Sequence, residues 1–268
     1  MESKTRDPGA APLFEVRGPC AWITLRRPAV LNRLQSEDVS ELRELFARVR
    51  EDRSLRALVL TGEGRVFCSG YDLDDLGERS GALPPGERST RPSPDFSAMT
   101  VELETLRVPT VCRLNGSVYG GATDLALSCD FRVGTTACEM FMPASRLGLH
   151  YYTQGLIRWS SRIGINAAKK LFLTAGTIKA EEMARIGFIT DLVAPEALDG
   201  AVAGLVETLC AQAPRAVEGM KRSLNEIARG ELDEAACDAR HVASLGSRDL
   251  REGMAAWHEK RKPVFTGE

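Results

Sequence analysis

The sequence predicts an α/β fold with a helical tail, and three observations carry that prediction. Short β-prone runs alternate with helical patterns over the first part of the chain, the rhythm of a sheet whose strands are joined through helices. After about Asn166 the strand signal nearly disappears, and two long helical stretches close the chain. The length, 268 residues, suits one large domain or a domain with an appended piece.

Taken in order, residues 13–16 and 21–25 are β-prone and flank Gly18-Pro19, which predicts a hairpin. Pro28 breaks the run. Ser36 is a candidate N-cap, Glu37 and Asp38 follow where the helix dipole favours acids, and Val39, Leu42, Leu45, Phe46 and Val49 recur at helical spacing. Residues 55–61 and 108–114 read as buried strands that run into Gly62-Glu63-Gly64 and Asn115-Gly116. Between them, residues 77–98 hold four prolines and three glycines and predict a loop with at most a helical turn, either a lid over a site or a solvated connection. Residues 167–174 and 180–186 predict short helices, residues 197–229 a long helix broken at Pro214, and residues 232–262 a second. An α/β body over 12–195 and a helical tail over 196–268 follow; a tail of this size must pack on the body or on another subunit.

Composition narrows the function. Lys plus Arg number 35 against 37 Asp plus Glu, a net charge of −2, so no surplus of cations is available for a nucleic-acid backbone. No run of 18 apolar residues predicts a membrane span. Residues 1–11 lack the apolar stretch of a secretory signal, and a cytoplasmic location is expected. The seven cysteines (Cys20, Cys68, Cys112, Cys129, Cys138, Cys210 and Cys237) are scattered without a C-x-x-C pair and read as thiols of a reducing compartment. His150, His241 and His258 complete no ligand spacing, so no metal is expected. The chain also lacks G-x-G-x-x-G, G-x-x-x-x-G-K-[ST] and G-x-S-x-G.

Two strand-to-helix junctions concentrate glycine: residues 67–73, with Gly70 before Tyr71, and residues 115–126, with Gly120 and Gly121. Glycine lets a backbone approach a ligand, and a helix start presents unpaired N–H groups. Two such groups converging on one point make an oxyanion hole; two glycines serving only a tight turn and close packing explain the same spacing.

The motifs of this chain resemble a known family. R-P-x-x-L-N stands at residues 27–32, L-T-G-x-G-x-x-F-x-x-G-x-D at 60–72, and P-x-V-x-x-x-N-G followed by G-G-x-x-x-L-A-L-x-C-D between 109 and 130. R-E-G-M-x-A-x-x-E-K-R-K-P-x-F closes the series at 251–265. Together they resemble the enoyl-CoA hydratase/isomerase, or crotonase, superfamily. That resemblance implies a crotonase-like (ClpP/crotonase) fold, a spiral of ββα units with a helical C-terminal trimerisation region, assembled as a homotrimer or a dimer of trimers. It also implies an acyl-CoA thioester as substrate, with coenzyme A as the acyl carrier and no permanently bound cofactor. By the same resemblance the N–H groups of Tyr71 and Gly121 hold the thioester oxygen. Leu31, Tyr71, Asp72, Leu73, Asp74 and Gly120 line the CoA channel, and Lys262 and Phe265 reach the adenine or phosphates.

The chain departs from the family's hydratases at the acid/base pair. The first of their two glutamates corresponds to Asp124, and the second, after Pro143, to Ala144. Aspartate sets its carboxylate back by about 1.5 Å, a displacement that can cost about a hundredfold in rate. Alanine moves no proton, so two-carboxylate addition of water is in doubt. His150, beside Tyr151 and Tyr152, is a further candidate acid or base, although such a histidine is more often packed. Expected functions are a hydratase/isomerase-like reaction through a thioester enolate with Asp124 as acid/base, a non-catalytic acyl-CoA binder, or a divergent thioester hydrolase or decarboxylase.

Overall fold

The computed structural model describes residues 9–72 and 94–268. Its first strands, β1 (Ala10–Arg17) and β2 (Cys20–Arg26), form the antiparallel hairpin, turning through Gly18 at φ +58°, a backbone region costly for other residues. The next strands of this sheet are β3 (Ala57–Gly62), β5 (Thr110–Leu114), β7 (Phe131–Thr135) and β10 (Asp191–Val193). They continue parallel to β2, giving the order β1-β2-β3-β5-β7-β10. A second sheet contains β4 (Val66–Cys68), β6 (Ser117–Tyr119), β8 (Glu139–Phe141) and β9 (Ile178–Lys179), with β9 antiparallel to β8. After β3, β5 and β7 the chain passes straight into a strand of the small sheet before turning helical. This is the repeated ββα plan that the motifs imply.

The described helices are α1 (Ser36–Glu51), α2 (Pro94–Glu104), α3 (Gly121–Leu127), α4 (Thr153–Ile163), α5 (Ile165–Thr174) and α6 (Ala180–Arg185), followed by α7 (Leu198–Cys210), α8 (Pro214–Arg229), α9 (Glu234–Leu245) and α10 (Arg248–Glu259). The large sheet is buried on both faces, as a mainly parallel sheet must be. Leu58 and Leu60 of β3 join Val39, Leu42, Leu45, Phe46 and Val49 of α1 in the main core. Their neighbours Ala57 and Val59 face the other way, with Val111 and Val133, onto Leu198 and Val202 of α7. The first tail helix therefore closes the second face of the sheet. No described helix is long and apolar enough to cross a membrane.

Three expectations need correction. The N-cap of α1 is Gln35 rather than Ser36, because a capping box with Asp38 takes the position, Gln35 N–H donating to Asp38 Oδ2 at 3.0 Å. The expected loop at 77–98 lies outside the described residues up to 93, and its last five residues belong to α2. The final helical stretch is two helices, since Ser247 accepts a bond from the Leu250 N–H at 3.0 Å and starts a new one.

Candidate active site

Beyond β4 the chain runs beside residues 31–34 as a one-residue parallel bridge between Leu34 and Tyr71. Leu34 N–H donates to the Gly70 carbonyl at 2.8 Å and Asp72 N–H to the Leu34 carbonyl at 2.9 Å. In such a bridge the central residue's own N–H points away from the partner strand, so Tyr71 offers its amide on the opposite side. Leu31 fastens the same segment, accepting from Ser69 N–H at 2.9 Å, and it holds the left-handed conformation at φ +58°.

The second junction meets the first here. Gly120 at φ +55° ends β6, and Gly121 opens α3. A methyl group on Gly70, itself at φ +100°, would lie 2.9 Å from the Tyr119 carbonyl oxygen and 3.1 Å from the Gly121 nitrogen. The backbones approach closely enough that only glycine fits. Gly120 N–H is spent on Phe141 at 3.0 Å, whereas Gly121 is the first residue of its helix and has no acceptor within it. Among the described residues, neither the Tyr71 nor the Gly121 amide donates to a backbone carbonyl.

Aromatic rings enclose this point. Phe96, from the first turn of α2, presents its ring tip 3.1 Å from where a Gly121 Cβ would stand. It packs edge-on to Tyr71 and to Tyr152, each at 6.1 Å between centroids. Tyr71 in turn shares a 2.8 Å hydrogen bond with Ser36.

One turn into α3, Asp124 is 0% exposed. Its Oδ2 accepts from Arg158 Nη1 at 2.6 Å and from the Tyr152 hydroxyl. Its Oδ1 is buried without a partner among the described residues. Arg158, on α4 and 2% exposed, also reaches both oxygens of Glu104, at 3.2 and 3.3 Å. Arg162 and Arg229 approach Glu104 as well, at 3.3 and 3.7 Å. Burial by itself pulls the Arg158 guanidinium down, but Asp124 and Glu104 outweigh it and hold the arginine above its ordinary value. Burial first, and then the Asp124 charge, push the Tyr152 phenol well above its ordinary value, so Tyr152 stays protonated and donates. The position after Pro143 presents only the buried methyl of Ala144.

The chain matches the enoyl-CoA hydratase/isomerase family model over residues 15–268. It belongs to the enoyl-CoA hydratase/isomerase family. It is 31% identical to the (E)-benzylidenesuccinyl-CoA hydratase of Thauera aromatica, over 95% of this chain and 98% of the relative. It is 29% identical to a short-chain-enoyl-CoA hydratase of Clostridium acetobutylicum, over 93% and 95%. A solved enoyl-CoA hydratase/carnithine racemase from Magnetospirillum magneticum superposes with a TM-score of 0.89 at 26% identity, covering 97% of this chain and 96% of that one. A putative enoyl-CoA hydratase from Streptomyces coelicolor gives 0.87 at 28%, covering 100% and 98%. The crotonase fold expected from the motifs is thereby established.

Within this family frame, the expected residues fall into two groups. Tyr71, Gly120, Gly121 and Asp124 come together around the junction of β4 and β6. Asp72 is buried beside them and pairs with Arg33 at 2.9 Å; Leu73 and Asp74 lie outside the described residues. His150 is exposed, its Nδ1 2.8 Å from the Tyr151 carbonyl, and is not among the described partners of Asp124. Lys262 is exposed after α10. Phe265 folds back onto Gly253, and its carbonyl accepts from Arg56 at 2.6 Å. Reasoning from sequence missed Arg158 and Phe96, and it expects Glu104 on a solvated helix face where the structure buries it. Arg158 carried a signal: it shares a helix face with Gly155, Trp159 and Ile163, all buried, and an arginine on an apolar face calls for a buried counter-charge.

Proposed function

We propose that this protein binds an acyl-CoA thioester, forms its enolate and moves a single proton, as in shifting a double bond from the 3- to the 2-position. The observation that carries this reading is the close approach of Gly70 to Gly121, which puts two backbone N–H groups without a backbone acceptor beside one buried carboxylate. Fixed N–H dipoles in a site closed by aromatic rings need no reorganisation as charge develops on the thioester oxygen. Asp124 is then the proton carrier. Isomerisation needs one such group, and Ala144 removes the second that water addition uses.

A second reading, a non-catalytic acyl-CoA binder, draws support from the Arg158 pair, which occupies Oδ2 of Asp124. Product analysis by mass spectrometry over a panel of 2-enoyl-, 3-enoyl- and saturated acyl-CoA thioesters separates the two. Double-bond migration, lowered at least about tenfold by Asp124→Asn, supports the enzyme. Calorimetric binding with no product from any thioester supports the binder, while hydrolysis or decarboxylation products point to a divergent reaction.

We also infer a homo-oligomer, a trimer or a dimer of trimers. The support is an apolar face on the tail: Met220, Leu224, Val242, Met254 and Trp257 are exposed, Trp257 by 84%. Met220, Leu224, Met254 and Trp257 line a cleft of about 1690 Å³ that α8 and the last two helices border. Patches of this kind mark association surfaces, and light scattering reads the mass directly.

A further inference from the structure

Resting on the thioester reading above, we propose that Tyr152 is a catalytic residue, the group that carries the proton between the bound acyl chain and Asp124. Asp124 has no exposure to solvent, and its Oδ2 is covered by the Tyr152 hydroxyl on one side and by Arg158 Nη1 on the other. Tyr152 is only half-buried. Its ring meets Phe96 edge-on, and Phe96 reaches both Tyr71 and Gly121. The phenol therefore stands between Phe96, beside which the thioester would lie, and Oδ2 of Asp124. Thr100 Oγ1, 3.3 Å from the same hydroxyl, gives the phenol oxygen a second partner and fixes its position.

The step balances without any further reactant. The C–H bond at the carbon next to the thioester breaks, and its electron pair moves into the carbonyl to give the enolate held by the Tyr71 and Gly121 N–H groups. The proton goes to the Tyr152 oxygen, whose own proton crosses to Oδ2 of Asp124. Reversal of the relay delivers a proton to the carbon two positions along the chain, which places the double bond beside the thioester and restores both side chains. Arg158 touches no substrate in this scheme; it is a positioning residue that holds Oδ2 facing the phenol.

Tyr152→Phe tests this, because it keeps the ring that packs on Tyr151 and Phe96 and removes only the oxygen. The readouts are steady-state isomerisation of a 3-enoyl-CoA, deuterium uptake at the carbon next to the thioester in heavy water, and the thermal midpoint. Expected for the variant are a kcat lower by about a hundredfold or more, a KM within about threefold of the wild type, parallel loss of deuterium uptake and an unchanged melting point. A variant that keeps kcat within about threefold overturns the role of Tyr152 and leaves Asp124 acting directly through Oδ1, while the enolate reading survives in the wild-type turnover. A fall in KM-weighted binding alone, with kcat kept, also overturns it. Wild-type protein that neither binds nor turns over any acyl-CoA defeats the thioester reading itself and Tyr152 with it. Should Tyr152→Phe lower the melting point, deuterium uptake is compared with wild type well below both midpoints, and uptake within about threefold of wild type there overturns the relay.

Discussion

Arg158 and Asp124 form an ion pair of 2.6 Å, with side-chain exposures of 1% and 0%. Arg158 also pairs with Glu104, which Arg162 and Arg229 share. Whether such a pair beats an apolar substitute of the same shape is a separate matter from the cost of breaking it. Removing one partner strands the others in a medium that solvates charge poorly. Arg158→Met is therefore expected to lower unfolding stability by about 3–5 kcal/mol, while Arg158→Lys, which keeps the charge but not the fork, should lose less. Urea denaturation measures both; a loss below about 1 kcal/mol for the methionine variant would show the pair to be energetically idle.

Gly70 makes a sharper prediction, because a control of similar backbone conformation exists at Gly148. Gly70 and Gly148 both hold positive φ, +100° and +68°, yet a methyl at Gly70 meets the Tyr119 carbonyl at 2.9 Å while nothing lies within 4 Å at Gly148. Both alanine variants pay for the left-handed backbone, about 1–2 kcal/mol. Only Gly70→Ala must also push the β4 and β6 junctions apart, and a displacement near 1 Å at a reacting centre can cost about a hundredfold. Turnover should fall by at least tenfold in that range for Gly70→Ala and hold for Gly148→Ala. Equal activity in the two would disconnect the close approach from the chemistry.

What the sequence disclosed and what it withheld follow the range of the interactions. The hairpin around Gly18-Pro19, the helix carrying Val39 to Val49 and the two-faced strand at Leu58 and Leu60 are set by neighbours a few residues apart, and all are found where the pattern puts them. The glycine junctions were readable as positions, but their meeting depends on two segments 50 residues apart in the chain, and the family motifs pointed to it where spacing did not. Glu104 read as a solvated helix residue because its partners Arg158, Arg162 and Arg229 come from α4 and α8. The break at Ser247 was hidden since Gly246 and Ser247 interrupt the apolar period by only one turn. The sequence shows Tyr152 only as a neighbour of His150, and the fold supplies Asp124 opposite it.

Glu104 also makes the acid limb of stability predictable. Burial alone would push its carboxyl up, but Arg158, Arg162 and Arg229 together outweigh burial and hold it below its ordinary value of 4.5. A folded-state value below the unfolded one means the group stabilises the protein fully above pH 4.5 and loses that contribution as pH falls through the lower folded value. Glu104→Gln should therefore be less stable than wild type at neutral pH, and its stability should decline less steeply below pH 4.5. Denaturation midpoints across that range decide it: parallel acid slopes in the two proteins would rule Glu104 out as a source of acid sensitivity.

The cysteines allow a test of the burial pattern itself. Cys20, Cys68, Cys112, Cys129 and Cys138 are buried, while Cys210 and Cys237 are half-buried. Burial pushes the Cys20 and Cys68 thiols up to about 12, and the reactive species is the thiolate. Cys68, close to the cradle, is thus a packing residue: its thiol donates to the Asn32 carbonyl at 2.9 Å and offers no nucleophile at neutral pH. An aromatic disulfide reagent added to the native protein should label two thiols quickly, Cys210 and Cys237, and all seven only in denaturant. Peptide mapping identifies the labelled positions. Rapid native labelling of Cys68 would mean that the β4 junction opens to solvent, and a closed junction would not be the resting state.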